Sequence, residues 1–386
     1  MRILHVVTAF PRGPDDPITP WLVELLQRLR AAGHEVEVFT SAYKGSADQT
    51  VAGIPVHRFR YFFRRWENLT HEETAPDRMR RSLLYRIMPF CFVASGLVAI
   101  RRLTRRRPYD VIHVHWPLPL ALFGWAAQRG RQPPLVTTFY GAELRLGFRR
   151  FIAWAARRAA RVIAISSYTA AALREIVDVP IEVIPYAAAL PSASSSPQHA
   201  PNSATVLFVG RLVERKGVAH LIEALGQLKN QNRTQLVVVG EGPERPRLEA
   251  RARELGLSDR VVFRGRISDA ELRRAYEMAD VFVLPAVLDA RGDTEGLGVV
   301  LLEAMNYGVP VIASRIGGIV DIVTDNETGI LVPPGDAAAL AGALQALLVD
   351  ASRARQLGEA GRRRLAERFS WKAIVERFEA VYRSVR

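Results

Sequence analysis

The chain has 386 residues, of which 49% are hydrophobic and 24% are charged, and its formal net charge is +14. This length and composition predict two globular domains, each with enough apolar residues for a buried core. A single cysteine, Cys91, excludes a disulfide framework and a zinc site built from cysteines, and it fits a reducing compartment.

The first half of the chain alternates short apolar strands with helical segments. Residues 2–7 form an apolar run typical of a buried strand. The leucines from Leu22 to Leu29 recur at helical spacing, and Gly33 ends the predicted helix. Further strands are predicted at residues 110–116, 134–140 and 161–166. Such alternation indicates a parallel sheet with helices on both of its faces.

The second half repeats this alternation after an interruption. Residues 188–203 are rich in Ser, Pro and Ala and show no periodicity, so we interpret them as a linker. We therefore predict an N-terminal domain at 1–187 and a C-terminal domain at 204–370, and we expect a helix at 371–386 to return to the first domain. The fold class is α/β, with two Rossmann-like doubly wound domains facing a cleft where a ligand would bind.

The loop that follows the first strand of the second domain carries a candidate phosphate site. In FVGRLVERKG (208–217), Gly210 allows a close backbone approach, and Arg211 and Lys216 supply two cations before a helix. Cations beside a helix N-terminus suit a diphosphate. The alternative is a solvated basic loop without a ligand.

The stretch DTEGLGVVLLEAM (293–305) carries two carboxylates separated by seven residues. Glu295 precedes a predicted helix, Glu303 lies about two turns inside it, and eight steps of about 100° return nearly to the same side. Carboxylates accept hydrogen bonds from vicinal hydroxyls, and free helix-start amides bind anions. The pattern indicates a nucleotide-diphosphate sugar. The alternative is that Glu295 only caps the helix and Glu303 is a surface residue.

Several motifs together resemble the donor domain of the family-4 glycosyltransferases, which are retaining enzymes of the GT-B fold. They are GRLVERKG, EGPERPRLE, VVFRGRISDAELRRAYEMADVFVLPA, EGLGVVLLEAMNYGVPVIAS, GGIVDIV and NETGILVPPGD. The resemblance is dense over residues 204–370 and loose over the first domain. It implies a glycosyltransferase (EC 2.4) whose first domain binds the acceptor and whose second domain binds a UDP- or GDP-linked sugar.

The resemblance also implies roles for individual residues. Arg211 and Lys216 would bind the diphosphate and stabilise the leaving group, Glu303 would bind the ribose, and Glu295 would contact the transferred sugar. His115, at the end of a strand, would lie near that sugar, so the candidate catalytic residues are Glu295, His115, Arg211 and Lys216. Further donor contacts are expected from the loop and helix-start residues Gly210, Arg266, Ile267, Gly296, Leu297 and Gly298. No metal and no cofactor is expected, because the two cations replace a metal.

Two loops of the first domain depart from the family pattern. Many relatives have two glycines after the first strand where this chain has only Gly13, and many have a histidine where this chain has Tyr140, before Gly141. We assign Gly13, Tyr140 and Gly141 to the acceptor side of the site.

Residues 58–107 combine basic and apolar character. They hold thirteen arginines and four acids, and residues 87–100 carry no charge. Fourteen uncharged residues are too few to span a bilayer, which needs about twenty. Flanking arginines suit an interfacial element on an anionic membrane. The alternatives are an internal helix with solvated arginines and the general arginine enrichment of a high-GC genome. A nucleic-acid partner is not expected, because no binding motif accompanies the charge.

The sequence thus predicts a retaining glycosyltransferase that acts on a lipid-linked or polysaccharide acceptor. We expect it to be cytoplasmic and peripheral on the inner face of the cell membrane, because the N-terminus does not read as a signal peptide. The alternatives are a transferase with a soluble acceptor, a nucleotide-sugar 2-epimerase and a non-enzymatic nucleotide-sugar sensor.

Overall fold

The computed structural model describes residues 1–13, 16, 18–70, 78–79, 82–128, 133–187, 204–228 and 233–386. The predicted linker at 188–203 lies outside the described residues. The chain divides into two compact units, one of residues 1–184 and 374–386 and the other of residues 185–373.

The first unit is built on a sheet of eight strands. These are β1 (Arg2–Val6), β2 (Glu35–Ser41), β3 (Gln49–Val51), β4 (Ile54–Phe59), β5 (Val111–His115), β6 (Leu135–Phe139), β7 (Arg161–Ala164) and β8 (Ile181–Val183), in the order β3-β4-β2-β1-β5-β6-β7-β8. Only β3 pairs antiparallel among the described strands. The strand order reverses between β1 and β5, where His5 lies opposite His113. In doubly wound sheets this reversal is the point where ligands bind.

Among the described residues, six helices accompany this sheet. They are α1 (Pro20–Ala31), α2 (Leu83–Arg106), α3 (Pro117–Ala127), α4 (Arg149–Arg158), α5 (Ser167–Arg174) and, from the end of the chain, α13 (Trp371–Ser384). Helix α1 buries Leu22, Leu25, Leu26 and Leu29, as their spacing predicts. Helix α13 packs on the first sheet through Phe378 and Tyr382, both of which contact His113.

The second unit is built on six strands. They are β9 (Ala204–Val209), β10 (Thr234–Val239), β11 (Val261–Gly265), β12 (Val281–Leu284), β13 (Val311–Ser314) and β14 (Ile330–Val332). Their order is β11-β10-β9-β12-β13-β14, and each of the described pairings is parallel. The order therefore reverses between β9 and β12.

The helices of the second unit connect these strands and extend beyond them. They are α6 (Val218–Gln227), α7 (Arg245–Glu254), α8 (Asp269–Glu277), α9 (Val299–Asn306), α10 (Ile319–Ile322), α11 (Ala337–Val349) and α12 (Ala351–Arg368). Both units thus have the strand–helix alternation and mainly parallel sheet that the sequence predicts.

Helix α2 is longer than the uncharged run suggested. It has 24 residues, and by length and composition alone it could cross a bilayer. Its buried residues recur every fourth position, at Met88, Phe92, Gly96 and Ile100. This single stripe packs into the core of the first unit, beside Phe59 and Phe123. One side of α2 is therefore a core element, as the internal-helix alternative proposed.

Candidate functional site

The two loops at the switch point of the second sheet bring a lysine and a glutamate together. A short 3₁₀ turn at Glu214–Lys216 follows β9, and Glu295 lies in the loop that follows β12. Lys216 Nζ lies 2.5 Å from Glu295 Oε2, and the two side chains are only 10% and 12% exposed. A nearly buried ion pair at the carboxyl ends of parallel strands marks the candidate site.

Two glycines hold these loops in place. Gly217 has φ +65°, and a Cβ added there would lie 1.9 Å from the carbonyl oxygen of Pro285. Gly317 has φ +59°, and an added Cβ would lie 2.1 Å from the backbone oxygen of Glu295. Both positions require a left-handed backbone and a contact that a side chain would prevent. The positions of Lys216 and Glu295 therefore depend on backbone packing.

Arg215 completes an ionic cluster around Glu295, although the sequence analysis did not single it out. Its guanidinium lies 3.5 Å from Glu295 and 3.4 Å from Asp293. Burial raises the pKa of Glu295, but the charges of Lys216 and Arg215 outweigh burial, and the net pKa is lowered. Glu295 is therefore ionised at neutral pH. The sequence VERKG shows Arg215 beside Lys216, which made it a candidate for this cluster. Only the 3₁₀ turn decides which of these side chains face Glu295.

Glu303 is half-buried on α9, the helix that directly follows the loop with Glu295. Tyr276, which is fully buried on α8, donates its hydroxyl to Glu303 Oε2 at 2.8 Å. Burial raises the pKa of Glu303 to about 7, and both the Tyr276 hydrogen bond and the charge of Lys216 act in the opposite direction. The interpretation of Glu303 as a surface residue is therefore wrong. Because Lys216 influences both carboxyls, the structure places Glu295 and Glu303 in one electrostatic neighbourhood.

The backbone between the two glutamates differs from the continuous helix used to estimate their spacing. Helix α9 begins only at Val299, after Gly298, and no side chain caps it. The Leu297 N–H donates to the Glu295 carboxylate. Gly296 is half-buried next to Glu295. The Leu297 amide is therefore directed at Glu295. Donor contacts by Gly296, Leu297 and Gly298 stay a prediction.

The other predicted donor contacts lie on neighbouring loops. Gly210 directly follows β9, and Arg211 after it is exposed, with no hydrogen-bond or ion-pair partner for its side chain among the described residues. Arg266 is exposed and Ile267 is half-buried where β11 gives way to α8. The structure thus gathers Lys216, Glu295 and Glu303 and leaves Arg211 and Arg266 pointing to solvent.

In the first unit, His115 is completely buried. Its Nδ1 lies 2.7 Å from the Tyr140 hydroxyl and its Nε2 lies 3.0 Å from His5 Nδ1. Burial lowers the pKa of His115 to about 3, so the ring is neutral. This corrects the expectation of a histidine open to a ligand, because both ring nitrogens are engaged within the unit. A catalytic role for His115 stays a prediction.

Three histidines of the first unit are close enough to consider a metal. The ring nitrogens of His5, His113 and His115 lie within 4.8 Å of one another. His113 uses both of its nitrogens, one with the Tyr382 hydroxyl and one with Thr138 Oγ1, each at 2.7 Å. Hydrogen bonds thus occupy both ring nitrogens of His113 and His115, whereas the buried Nε2 of His5 has no hydrogen-bond partner among the described residues. Metal independence of the chain stays a prediction.

The residues predicted on the acceptor side lie at the carboxyl ends of β1 and β6. Gly13 is in the loop after β1, and Tyr140 and Gly141 directly follow β6. Sequence reasoning missed Glu143, which is 4% exposed. Its Oε1 accepts the Tyr140 N–H at 2.8 Å, and burial raises its pKa to about 7.

Arg58 fixes the loop that contains Gly13. Its guanidinium is buried and donates to the carbonyl oxygens of Pro11 at 2.7 Å and of Phe10 and Ser41 at 3.3 Å. This arginine belongs to the basic segment 58–107, but it serves the interior of the first unit.

Two family models match the chain and together span most of it. The model for Glycosyltransferase Family 4 matches residues 20–187, and the model for Glycosyl transferases group 1 matches residues 192–364. The boundary between them falls in the predicted linker.

Individual relatives agree with the family models. A phosphatidyl-myo-inositol mannosyltransferase of Mycobacterium leprae is 34% identical over 297 residues, which are 74% of this chain and 76% of that protein. A GDP-mannose-dependent alpha-(1-6)-phosphatidylinositol monomannoside mannosyltransferase of Mycolicibacterium smegmatis is 41% identical over 169 residues, which are 43% of this chain and 44% of that protein.

A solved structure supports the same fold. Sucrose-phosphate synthase from Thermosynechococcus elongatus has a TM-score of 0.76 and 27% identity, and the match covers 100% of this chain and 99% of that one. With two Rossmann-like units, an ionic cluster at the second switch point and these similarities, the chain belongs to the family-4, group 1 glycosyltransferases of the GT-B fold and is an enzyme that transfers glycosyl groups.

Proposed function

We propose that the enzyme transfers a sugar, with retention, from a UDP- or GDP-linked donor to a lipid-linked or polysaccharide acceptor at the cytoplasmic face of a membrane. The names of two similar proteins, a phosphatidyl-myo-inositol mannosyltransferase and a GDP-mannose-dependent enzyme, support a GDP-linked sugar and a lipid acceptor. The observation that carries the membrane part is the exposed apolar face of α2.

On the donor side, the ionic cluster supplies the groups that such a reaction needs. The leaving nucleotide gains negative charge as the glycosidic bond breaks, and Lys216 and Arg215 are fixed cations that would stabilise it without a metal ion. Glu295 would orient the transferred sugar by accepting its hydroxyls, and Glu303 would accept the hydroxyls of the ribose. Because Lys216 is paired with Glu295 at 2.5 Å, a bound diphosphate would share this cation with the carboxylate.

The exposed face of α2 lies opposite its buried stripe. At 100° per residue, Leu83, Ile87, Phe90 and Val98 lie on the side away from Met88 and Ile100, and these four side chains are 72%, 56%, 76% and 48% exposed. Phe63 is 71% exposed, and it lies near the start of α2 because Trp66 contacts Tyr85. A helix held to the protein by one stripe and apolar on the other is suited to lie in the membrane interface.

Arginines surround this apolar face. Those at its two ends are exposed and include Arg64, Arg65, Arg86, Arg102, Arg105 and Arg106. Each basic residue near an anionic leaflet contributes about 1 kcal/mol, so four or five of them would give an attachment of about 4–5 kcal/mol before any apolar contact. Other arginines of the segment serve the interior: Arg58 binds carbonyl groups, Arg60 binds the buried Glu67 and Arg107 binds Glu37. Arg80 and Arg81 lie outside the described residues.

Flotation with liposomes tests the membrane proposal. The wild-type protein should float with anionic vesicles at low salt and only partly dissociate at high salt. Replacing Ile87 and Phe90 with Gln should abolish the salt-resistant fraction, and replacing Arg64 and Arg65 with Ala should abolish the salt-sensitive fraction. Val349→Gln, which changes an apolar side chain of the second unit that is 69% exposed, is the matched control. Absence of flotation with anionic vesicles at low salt would contradict the proposal and favour a soluble acceptor.

A thermal-shift panel of nucleotide sugars tests the donor proposal. A ligand of the native state raises the stability by RT ln(1 + [L]/Kd), so the true donor should raise Tm more than its free nucleotide. GDP-mannose should be compared first with UDP-linked sugars. Release of nucleotide diphosphate that depends on acceptor indicates a transferase, whereas release or sugar isomerisation without acceptor indicates the epimerase alternative.

A further inference from the structure

Three aromatic side chains meet at the switch point of the first sheet. Trp116 directly follows β5, Tyr140 directly follows β6, and Trp21 is the second residue of α1. The Trp116 and Tyr140 rings are stacked with centroids 4.1 Å apart, and the Trp21 ring lies 5.3 Å from Tyr140 and 5.9 Å from Trp116. All three residues are partly exposed. We call these three residues the aromatic platform.

The backbone at the platform is strained. Trp116 has φ +53°, in the left-handed region that bulky side chains rarely adopt. Thr19, two residues before Trp21, has φ +49°. Strained residues persist where the surrounding structure holds them, and they cluster at ligand sites. A tryptophan kept in this conformation indicates that the position of its indole ring matters.

A buried series of hydrogen bonds holds Tyr140 of the platform in place. The Tyr140 hydroxyl contacts His115, and His115 contacts His5, which lies on β1. Both histidines are fully buried, so this chain ties the ring of Tyr140 to the two central strands. The platform is therefore a rigid surface on the scaffold, at the point of the sheet where ligands of doubly wound folds bind.

We propose that the aromatic platform binds a six-membered, polyhydroxylated ring of the acceptor, that is, a pyranose or a cyclitol. Such a ring presents C–H groups on its face and hydroxyls at its edge. The C–H face packs on an aromatic face, while the hydroxyls stay hydrated or reach polar groups around it. This inference rests on the proposed function, because it assumes that the acceptor binds to the first unit.

Saturation-transfer NMR with simple ring compounds tests the platform. The probes are methyl α-mannopyranoside, methyl α-glucopyranoside and myo-inositol, with the open-chain polyol mannitol as the comparison. The wild-type protein should transfer saturation to the C–H protons on one face of a ring probe, and it should bind mannitol about tenfold more weakly because an open chain offers no such face.

Two substitutions at one position separate a binding role from a structural role. Trp116→Phe keeps an aromatic face and should retain most of the binding. Trp116→Asn removes the ring but tolerates the left-handed backbone, so it should lower ring affinity about tenfold while the protein stays folded. Trp125→Leu, which changes a partly buried tryptophan of α3 outside the platform, should leave ring binding unchanged.

Specific outcomes would overturn the proposal. They are the absence of ring binding by the wild-type protein, equal binding of mannitol, or unchanged ring affinity in Trp116→Asn. Nucleotide-sugar binding is measured on the same samples by thermal shift. If the wild-type protein binds nucleotide sugars but no ring compound, the platform inference fails and the proposed donor chemistry stands. If it binds ring compounds but no nucleotide sugar, the proposed function fails instead.

Discussion

Replacing Glu303 with Gln should change how the stability of the protein depends on pH. In the folded protein Glu303 titrates near pH 7, because burial disfavours its charged form, whereas its ordinary pKa is 4.5. Below pH 4.5 the carboxyl is neutral in both the folded and the unfolded state, so its ionisation does not change the unfolding free energy. Between pH 4.5 and pH 7 the carboxyl ionises readily in the unfolded chain but not in the folded protein. The unfolding free energy therefore falls by about 3 kcal/mol as pH rises through this range. Gln is neutral throughout and keeps an oxygen that accepts the Tyr276 hydroxyl.

Thermal unfolding of the full chain at pH 5, 6, 7 and 8 measures this effect. Between pH 5 and pH 8 the unfolding free energy of Glu303→Gln should gain about 2–3 kcal/mol on that of the wild type, which corresponds to about 5–10 °C in Tm. Other titrating groups, including Glu143, are common to both proteins and cancel in the difference. Glu359→Gln, at an exposed position of α12, is the control and should show no trend. A Tm difference between Glu303→Gln and wild type that is constant across this range would refute the reasoning.

The same titration bears on the proposed ribose contact. If the ionised form of Glu303 accepts the ribose hydroxyls, only that form is competent, and about a tenth of the molecules have it at pH 6 against about nine-tenths at pH 8. Nucleotide affinity of the wild type should therefore rise about tenfold over this range, and Glu303→Gln should bind weakly and without pH dependence. Equal nucleotide affinity of wild type and Glu303→Gln at pH 8 would rule out the contact.

Three further substitutions probe the scaffold and the ionic cluster. Lys216→Ala should lower kcat/KM by about 100-fold or more, because a fixed cation near the leaving group is lost, whereas Arg247→Ala at an exposed site of α7 should leave steady-state kinetics unchanged. Gly217→Ala should lower Tm much more than Gly256→Ala. Both glycines have nearly the same left-handed φ, but only a Cβ at Gly217 would lie 1.9 Å from a carbonyl oxygen. Similar Tm values of the two variants would mean that this contact does not restrict the position to glycine. Arg58→Met should cost about 2–4 kcal/mol in denaturant unfolding, since it leaves buried carbonyl groups without a donor, and a smaller loss than 1 kcal/mol would show that water replaces the guanidinium.

Local patterns were sufficient to predict much of this protein. Strands and helices follow from apolar runs and from leucine spacing, because each depends on residues close in sequence and on one buried face. The leucines of α1 are buried as their period predicts. The segment 293–305 was informative for the same reason, since Glu-Gly-Leu-Gly before an apolar helix is unusual unless the loop has a specific structure. The family followed from motifs that keep their order along the chain.

The same local patterns were insufficient for α2. Fourteen uncharged residues suggested a short segment, yet the helix has 24 residues and includes flanking arginines. Arginine has a high helix propensity and a long stem, so charged ends do not stop a helix. Which side of α2 is buried could not be derived from its composition, because apolar residues occur on both sides. Packing against Phe59 and Phe123 selected the stripe from Met88 to Ile100.

The chemistry of the site depends on contacts between distant parts of the chain. Lys216 and Glu295 are 79 residues apart and meet because the strand order brings β9 beside β12. The sequence by itself determined that cations and carboxylates follow these strands, but only the tertiary structure decided that Arg215 joins the pair and that Arg211 faces solvent. It likewise decided that His115 is enclosed by His5 and Tyr140. Burial and ionisation depend on which side chains pack around a group. The sequence specifies which groups are available, but it does not specify which of them lose their contact with water.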